Sequence, residues 1–309
     1  MNTNVRITDV SPRDGLQAES AIVDAALKAQ LAMLVQKTGV AEVEVSSFVS
    51  PKWIPQLGDA AEVFDLLAPT KPEGVIYSAL VPNERGLDAA IAVNQKARQD
   101  HGIEGLIDKV SVFTAASEGF SLKNTNATIE ETLERFDPVV SKAHEHGLMV
   151  RGYISCIVQC PFDGAINPDA VGDVMTRLVA MGIDEIDLGD TIGAATPETL
   201  EPVMMEAIDR LDGESTNSFG DPTLTLHLHD TFGHAAECVK LALELGVRSF
   251  DSSAGGLGGC PYASTEHTRA PGNISTLALV QAIRDEGLTT NIDDAALIEA
   301  SKFASGLIG

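Results

Sequence analysis

Leu224-Thr225-Leu226-His227-Leu228-His229-Asp230 is an apolar run that carries two histidines one residue apart. A strand has a side-chain period of two, so His227 and His229 share one face while Leu226 and Leu228 point to the other. One face then packs a core and the other offers two imidazoles, which is metal-ligand geometry. His144 and His146 have the same spacing, but they sit in the polar, helix-like stretch Ser141-Lys142-Ala143-His144-Glu145-His146. A two-residue step in a helix turns side chains roughly 200° apart, so that pair cannot grip one ion.

Outward from this run, short β-branched segments alternate with longer helix-like ones. The other strand candidates begin at Val5, Glu42, Val75, Val110, Met149, Glu185 and Ser249, which makes eight strand and helix pairs. Thr128-Ile129-Glu130-Glu131 reads as a capping box, and Pro168 and Pro197 suit first-turn positions. Regular alternation implies right-handed crossovers and a parallel sheet. Eight repeats close most naturally into an α/β fold of the (β/α)8 TIM-barrel type, with an extra C-terminal helix from about Asp293 to Ser305. This predicts a single catalytic domain over residues 1–309, with a helical extension at about 290–309. An open doubly wound sheet is the competitor, but it would place a glycine fingerprint after its first strand, where this chain has Ser11-Pro12-Arg13-Asp14-Gly15. Gly255-Gly256-Leu257-Gly258-Gly259 also fails the dinucleotide pattern, because Pro261 stands where its last glycine belongs.

The 309 residues, 44% of them hydrophobic, suffice for one large barrel or two ordinary domains. No apolar run approaches the roughly 20 residues of a membrane span, and no secretory leader is evident, so a soluble, cytoplasmic protein is expected. Cys156, Cys160, Cys238 and Cys260 are too few and too scattered for a disulfide framework and read as free thiols. The formal net charge of −24 opposes nucleic acid and anionic membranes as partners and otherwise favours solubility. Homodimerisation is the base-rate expectation for a soluble enzyme.

In a barrel of this kind, chemistry gathers at the C-terminal ends of the strands. The polar residues collect there: Arg13 and Asp14 after the first strand, Glu44 at the end of the second, Asp190 after the sixth, the histidine pair in the seventh, and the glycine loop with Cys260 after the eighth. Each alone has an ordinary explanation as a turn residue, a cap or a salt-bridge partner. Two imidazoles with carboxylate and amide oxygens suit six-coordinate Mg²⁺ or Mn²⁺ better than structural zinc. Such an ion would act as a Lewis acid and template. An adjacent arginine would stabilise an enolate-like oxygen.

Six blocks carry a family resemblance: Val10-Ser11-Pro12-Arg13-Asp14-Gly15-Leu16-Gln17, Ser47-Phe48-Val49-Ser50-Pro51-Lys52-Trp53, Ala115-Ala116-Ser117-Glu118, Leu188-Gly189-Asp190-Thr191-Ile192-Gly193, His227-Leu228-His229-Asp230-Thr231 and Gly256-Leu257-Gly258-Gly259-Cys260-Pro261-Tyr262. In this order they resemble the signature blocks of the 3-hydroxy-3-methylglutaryl-CoA lyases, within the metal-dependent barrel superfamily that also holds condensing synthases. The resemblance implies retro-Claisen cleavage of a 3-hydroxyacyl-CoA to acetyl-CoA and a keto acid, acetoacetate for the name-giving substrate. It implies Asp14, His227, His229 and Asn273 as ligands of the cation, and Arg13 as the stabiliser of the released enolate. Glu44 would position Arg13 or the substrate, Asp190 and Cys260 are the acid/base candidates, and His227 would serve catalysis as well as the metal. Gln17, Lys52 and Lys123, with Arg269, are the candidates for holding acyl-CoA.

A condensing synthase running the reverse chemistry and a non-catalytic acyl-CoA-binding barrel are the alternative readings. The chain departs from the family at the thirteen-residue step from Cys260 to Asn273, at Leu277-Ala278, at Phe232-Gly233-His234 and at Asp187, which replaces a serine. Asp187 is expected to face the lumen and to repel or recognise part of the acyl chain.

Overall fold

A computed structural model of the chain describes residues 4–213, 223–258 and 271–308. Eight parallel strands close into a barrel: β1 Arg6–Asp9, β2 Glu42–Ser47, β3 Ile76–Leu80, β4 Lys109–Ala115, β5 Met149–Ser155, β6 Glu185–Asp190, β7 Thr223–Leu228 and β8 Ser249–Ser252. The order around the ring follows the chain, and β1 closes on β8 through the pairs Arg6 with Ser249 to Asp9 with Ser252. The (β/α)8 expectation is met, strand for strand.

The outer ring consists of α1 Ala25–Val35, α2 Ala60–Leu67, α3 Glu84–His101, α4 Glu118–Thr125 and α5 Ile129–Glu145, then α6 Pro168–Ala180, α7 Pro197–Gly213, α8 Ala235–Glu244 and α9 Thr276–Asp285. The extra C-terminal helix, α10 Asp294–Gly306, packs on α1 and on the turn Ala254–Gly256. Local sequence starts these helices as expected. The Thr128 hydroxyl accepts from Glu131 N and the Glu131 carboxylate accepts from Thr128 N, a complete capping box at α5. Asn167 caps α6 ahead of Pro168, and Asp293 caps α10.

Two packing zones result. Between strands and helices lies an apolar shell, in which Leu226 and Leu228 are buried beside Val45, Val112 and Leu188. Inside the barrel, alternate residues face the axis, and the lumen is ionic rather than aliphatic. Arg151 is fully buried and reaches Glu185 Oε1 at 2.6 Å, Asp251 Oδ1 at 3.2 Å, Glu42 Oε1 at 3.4 Å and Asp187 Oδ2 at 3.5 Å. Lys109, also buried, binds both Glu42 and Glu185. Thr8 accepts from Arg151 at 3.1 Å, and Thr225 donates to Glu185 at 2.7 Å.

Burial by itself would raise the Glu185 carboxyl, but the charges of Arg151 and Lys109 outweigh it and hold Glu185 at about 2. A carboxylate lowered on folding contributes stability that is complete above its ordinary value near 4.5 and is lost as pH falls toward 2. Acid unfolding is therefore expected to steepen across that window and to flatten in Glu185→Gln. Lys109→Met, which leaves two buried carboxylates short of a partner, should cost about 3–5 kcal/mol in urea denaturation. An unchanged urea midpoint for Lys109→Met would contradict the role given to this network.

Candidate active site

The tight π-type turn Ser11–Gly15 follows β1 directly and carries Arg13 and Asp14 inward. Its last residue must be glycine, since a Cβ at Gly15 would meet Leu257 Cβ at 2.8 Å. Arg13 Nη1 binds Asp14 Oδ1 at 2.7 Å, and Arg13 Nε donates to Glu44 Oε2 at 2.5 Å. Glu44 thus positions Arg13, but from a different place than the sequence suggested. It is the third residue of β2, inside the lumen, and the register of β2 on β3 shifts between Glu44 and Ser46. That bulge lets Glu44 reach up to the rim from mid-strand.

His227 lies in β7 and His229 just beyond it, in an isolated bridge to Asn273. Their rings are 5.3 Å apart on one face, as the strand period requires. Donor atoms of Asp14, His227 and His229 lie within 4.8 Å of one another, with His229 Nε2 at 4.0 Å from Asp14 Oδ2. The pair His144 and His146 behaves as expected: His144 binds Asp184 at 2.9 Å on α5, and His146 follows the helix end.

Electrostatics suit a cation at this point. Burial opposes ionisation of Asp14, but the Arg13 charge and the two imidazoles hold it well below the usual carboxylate range. Burial and the neighbouring His227 push His229 down to about 4, so it is neutral with its lone pair free. Among the described residues, His229 Nδ1 and Asn273 Oδ1 are buried without a hydrogen-bond partner. Such an orphaned pair beside an ionised carboxylate fits a hard divalent ion. Asn273 meets Asp14 through its amide nitrogen, donating to Asp14 Oδ2 at 2.8 Å and to Leu257 O at 3.0 Å. In this arrangement it braces the carboxylate.

The glycine run serves this bracing. Gly258 has φ 105°, and a Cβ there would sit 2.5 Å from Asn273 Nδ2. The loop's glycines thus let the backbone approach the site.

Above these residues opens a cavity of about 260 Å³. Arg13, Asp14, Gln17, His227 and His229 line one side, and Val49, Ile54, Leu80, Phe113 and Phe120 form an apolar wall. A second recess of about 430 Å³ shares Val49, Ile54, Phe113 and Asn124 with it and adds Trp53, Lys123 and Arg135. Lys123 therefore flanks the site, whereas Lys52 is exposed and lines neither space.

Four expected site residues stand apart from the cavity lining or fall outside view. Asp190 closes β6 and accepts from Ala194 N at 3.1 Å and Ala195 N at 2.8 Å, so its carboxylate shapes the turn into α7 and does not line the cavity. Burial raises its carboxyl to about 6, against the lowering pull of these backbone hydrogen bonds. Asp187 does face the lumen, yet it is fully buried against Arg151 and close to His227 and Asp251, and it is not among the residues that line the cavity. Burial and the nearby Asp251 push its carboxyl well up. Cys260 and Arg269 lie outside the described residues.

Sequence reading passed over three residues that organise the site. Asp251 accepts from His227 Nδ1 at 3.1 Å, which leaves Nε2 for a metal. Tyr153 and Arg151 support Asp251 from below, with contacts of 3.2 Å from each. The available signal was a polar residue at every second position of a buried strand, as in Arg151-Gly152-Tyr153.

Comparison with known proteins agrees with the six-block resemblance. Hydroxymethylglutaryl-CoA lyase of Macaca fascicularis, named as mitochondrial, is 40% identical over 97% of this chain and 84% of its own length. The HMG-CoA lyase from Brucella melitensis superposes with TM-score 0.88 at 40% identity, covering 99% of both chains. An HMG-CoA lyase from Acinetobacter baumannii, solved with coenzyme A and 3-methylmalate, gives TM-score 0.85 at 32% identity over 99% of this chain and 92% of that one. The HMGL-like family model matches residues 4–304, and this chain belongs to that family.

Proposed function

We propose that the protein is a divalent-metal-dependent carbon–carbon lyase that cleaves 3-hydroxy-3-methylglutaryl-CoA, or a closely related 3-hydroxyacyl-CoA, to acetyl-CoA and acetoacetate or the matching keto acid. One observation carries this reading: the Arg13 guanidinium and the Asp14, His227 and His229 donors meet on one side of a single cavity. The kinship with lyases, one of them solved with coenzyme A, supports it.

Asp14, His227 and His229 would hold the cation, with Asn273 Oδ1, buried and without a partner among the described residues, as the fourth donor. When bound, Mg²⁺ or Mn²⁺ supplies Lewis acidity toward the substrate's oxygens. As the C3 hydroxyl passes its proton to an acid/base side chain, the C2–C3 bond breaks, C3 becomes the ketone and the electron pair passes to C2. The resulting negative charge lies largely on the thioester oxygen, and Arg13 receives it from a fixed position. Burial would discharge Arg13, but the Glu44 and Asp14 carboxylates outweigh that and keep it firmly protonated. A proton returned to C2 completes acetyl-CoA. Asp190 and Cys260 are the candidates for these proton transfers.

Gln17 lines the same cavity as Arg13 and would meet the acyl-CoA. The outer recess, with Lys123, Arg135 and the exposed Trp53, offers cations and an aromatic face to the phosphates and adenine of CoA in an otherwise acidic chain. Cys156, Cys160 and Cys238 are free, buried thiols, which suits a cytoplasmic setting.

Acetyl-CoA release from a panel of branched 3-hydroxyacyl-CoA esters with Mg²⁺ tests the reaction directly. Chelation is expected to abolish release and added Mn²⁺ to restore it; full activity in a rigorously metal-free preparation would refute the reading. His229→Ala should remove metal binding and activity while leaving the circular dichroism spectrum of the barrel intact. Arg13→Met is expected to lower kcat by about 10²–10³-fold with little change in metal affinity. Cys260→Ala should lower kcat far more than it raises KM, and an unchanged kcat would end the role given to that thiol.

A further inference from the structure

Tyr153 lies between the arginine half of the site and the metal half, and the mechanism above uses neither its ring nor its hydroxyl. It occupies β5, is 7% exposed and lines the cavity. Two guanidinium groups lie over its ring, Arg13 Cζ at 5.6 Å and Arg151 Cζ at 5.5 Å from the centroid. Its hydroxyl accepts from Arg151 Nη1 at 3.0 Å and donates to Asp251 Oδ2 at 3.2 Å. The same Asp251 oxygen accepts from His227 Nδ1 at 3.1 Å. The ring also stands edge-on to the His227 imidazole, with centroids 6.1 Å apart and planes at 86°.

One side chain therefore touches Arg13 through its π face and His227 through a shared carboxylate. The two contacts use different parts of the residue, so they are separable by chemistry. A guanidinium over an aromatic face is held in orientation by the ring quadrupole, whether or not the ring carries a hydroxyl. A carboxylate that orients a ligand histidine depends on its own hydrogen-bond donors, and losing one loosens the imidazole.

We propose that Tyr153 is the positioning residue that sets Arg13 and His227 relative to each other, its ring aligning the guanidinium and its hydroxyl, through Asp251, aligning the imidazole. This rests on the reading of Arg13 as enolate stabiliser and His227 as metal ligand.

The test compares Tyr153→Phe with Tyr153→Leu in the full-length protein, with two readouts. Mn²⁺ affinity is measured by electron paramagnetic resonance without substrate, and kcat is measured at saturating Mn²⁺. Tyr153→Phe should weaken Mn²⁺ binding by about tenfold, the scale of a lost supporting contact, and lower kcat at saturating metal by clearly less than Tyr153→Leu does. Tyr153→Leu should weaken Mn²⁺ binding to the same degree and also lower kcat about 100-fold, as misplacement of a catalytic group does. A residue that only filled space would not separate the two readouts in this way.

Wild-type Mn²⁺ affinity in Tyr153→Phe, or near-wild-type kcat in a folded Tyr153→Leu, would overturn the proposal. Should Tyr153→Leu not fold, the affinity of Tyr153→Phe decides alone. A wild-type protein that binds no Mn²⁺ would sink the metal centre and this inference with it, whereas wild-type binding with indifferent variants would sink this inference only.

Discussion

The interaction on which the rest depends is the ion cluster along the barrel axis, with Arg151 at its centre. Arg151 and Lys109 are surrounded by Glu42, Glu185, Asp187 and Asp251, all without access to solvent or nearly so. Desolvating that many charges is expensive, and their mutual attraction repays it only when geometry is close and hydrogen bonds are complete. Here each strand contributes a polar side chain at alternate positions, so closing the barrel is what brings the partners together. Aliphatic layers would have packed the same space without constraining which strand faces which.

The cluster also reaches the chemistry. Arg151 binds Asp251, and Asp251 binds His227, so a cation buried below the rim fixes the imidazole above it. On the other side Glu44 rises from β2 to hold Arg13, and Arg13 holds Asp14. The groups at the mouth therefore inherit their positions from buried, ion-paired side chains. This is preorganisation in the strict sense, since the arginine and the three donors need little rearrangement as charge develops. The rim itself is built from turns that tolerate no substitution at a few points, with Gly15 packed against Leu257 and Gly258 against Asn273.

Asp187 shows how context redirects a residue. As a carboxylate on a lumen-facing position it invited a role in substrate choice, but it lies one layer too deep. Its neighbours are Arg151, Asp251 and His227, and both of its oxygens lack hydrogen-bond partners among the described residues. It belongs to the supporting charge cluster, whereas Val49, Leu80, Phe113 and Phe120 are among the residues that line the cavity.

Much of this was legible in the chain itself. Alternation of β-branched and amphipathic stretches specified eight strand and helix pairs, because each element's period of two or 3.6 is a local property. The caps at Thr128, Pro168 and Asp293 are local too, and the face shared by His227 and His229 follows from the strand period alone. What needed the closed barrel was every relation between strands: that Glu44 reaches Arg13 from mid-strand across a bulge, that Asp190 turns to its own loop, and that Arg151, Tyr153 and Asp251 meet under His227. Those contacts join residues as many as 100 positions apart, and no periodicity along one segment encodes which residues a sheet will bring face to face across its axis once it closes.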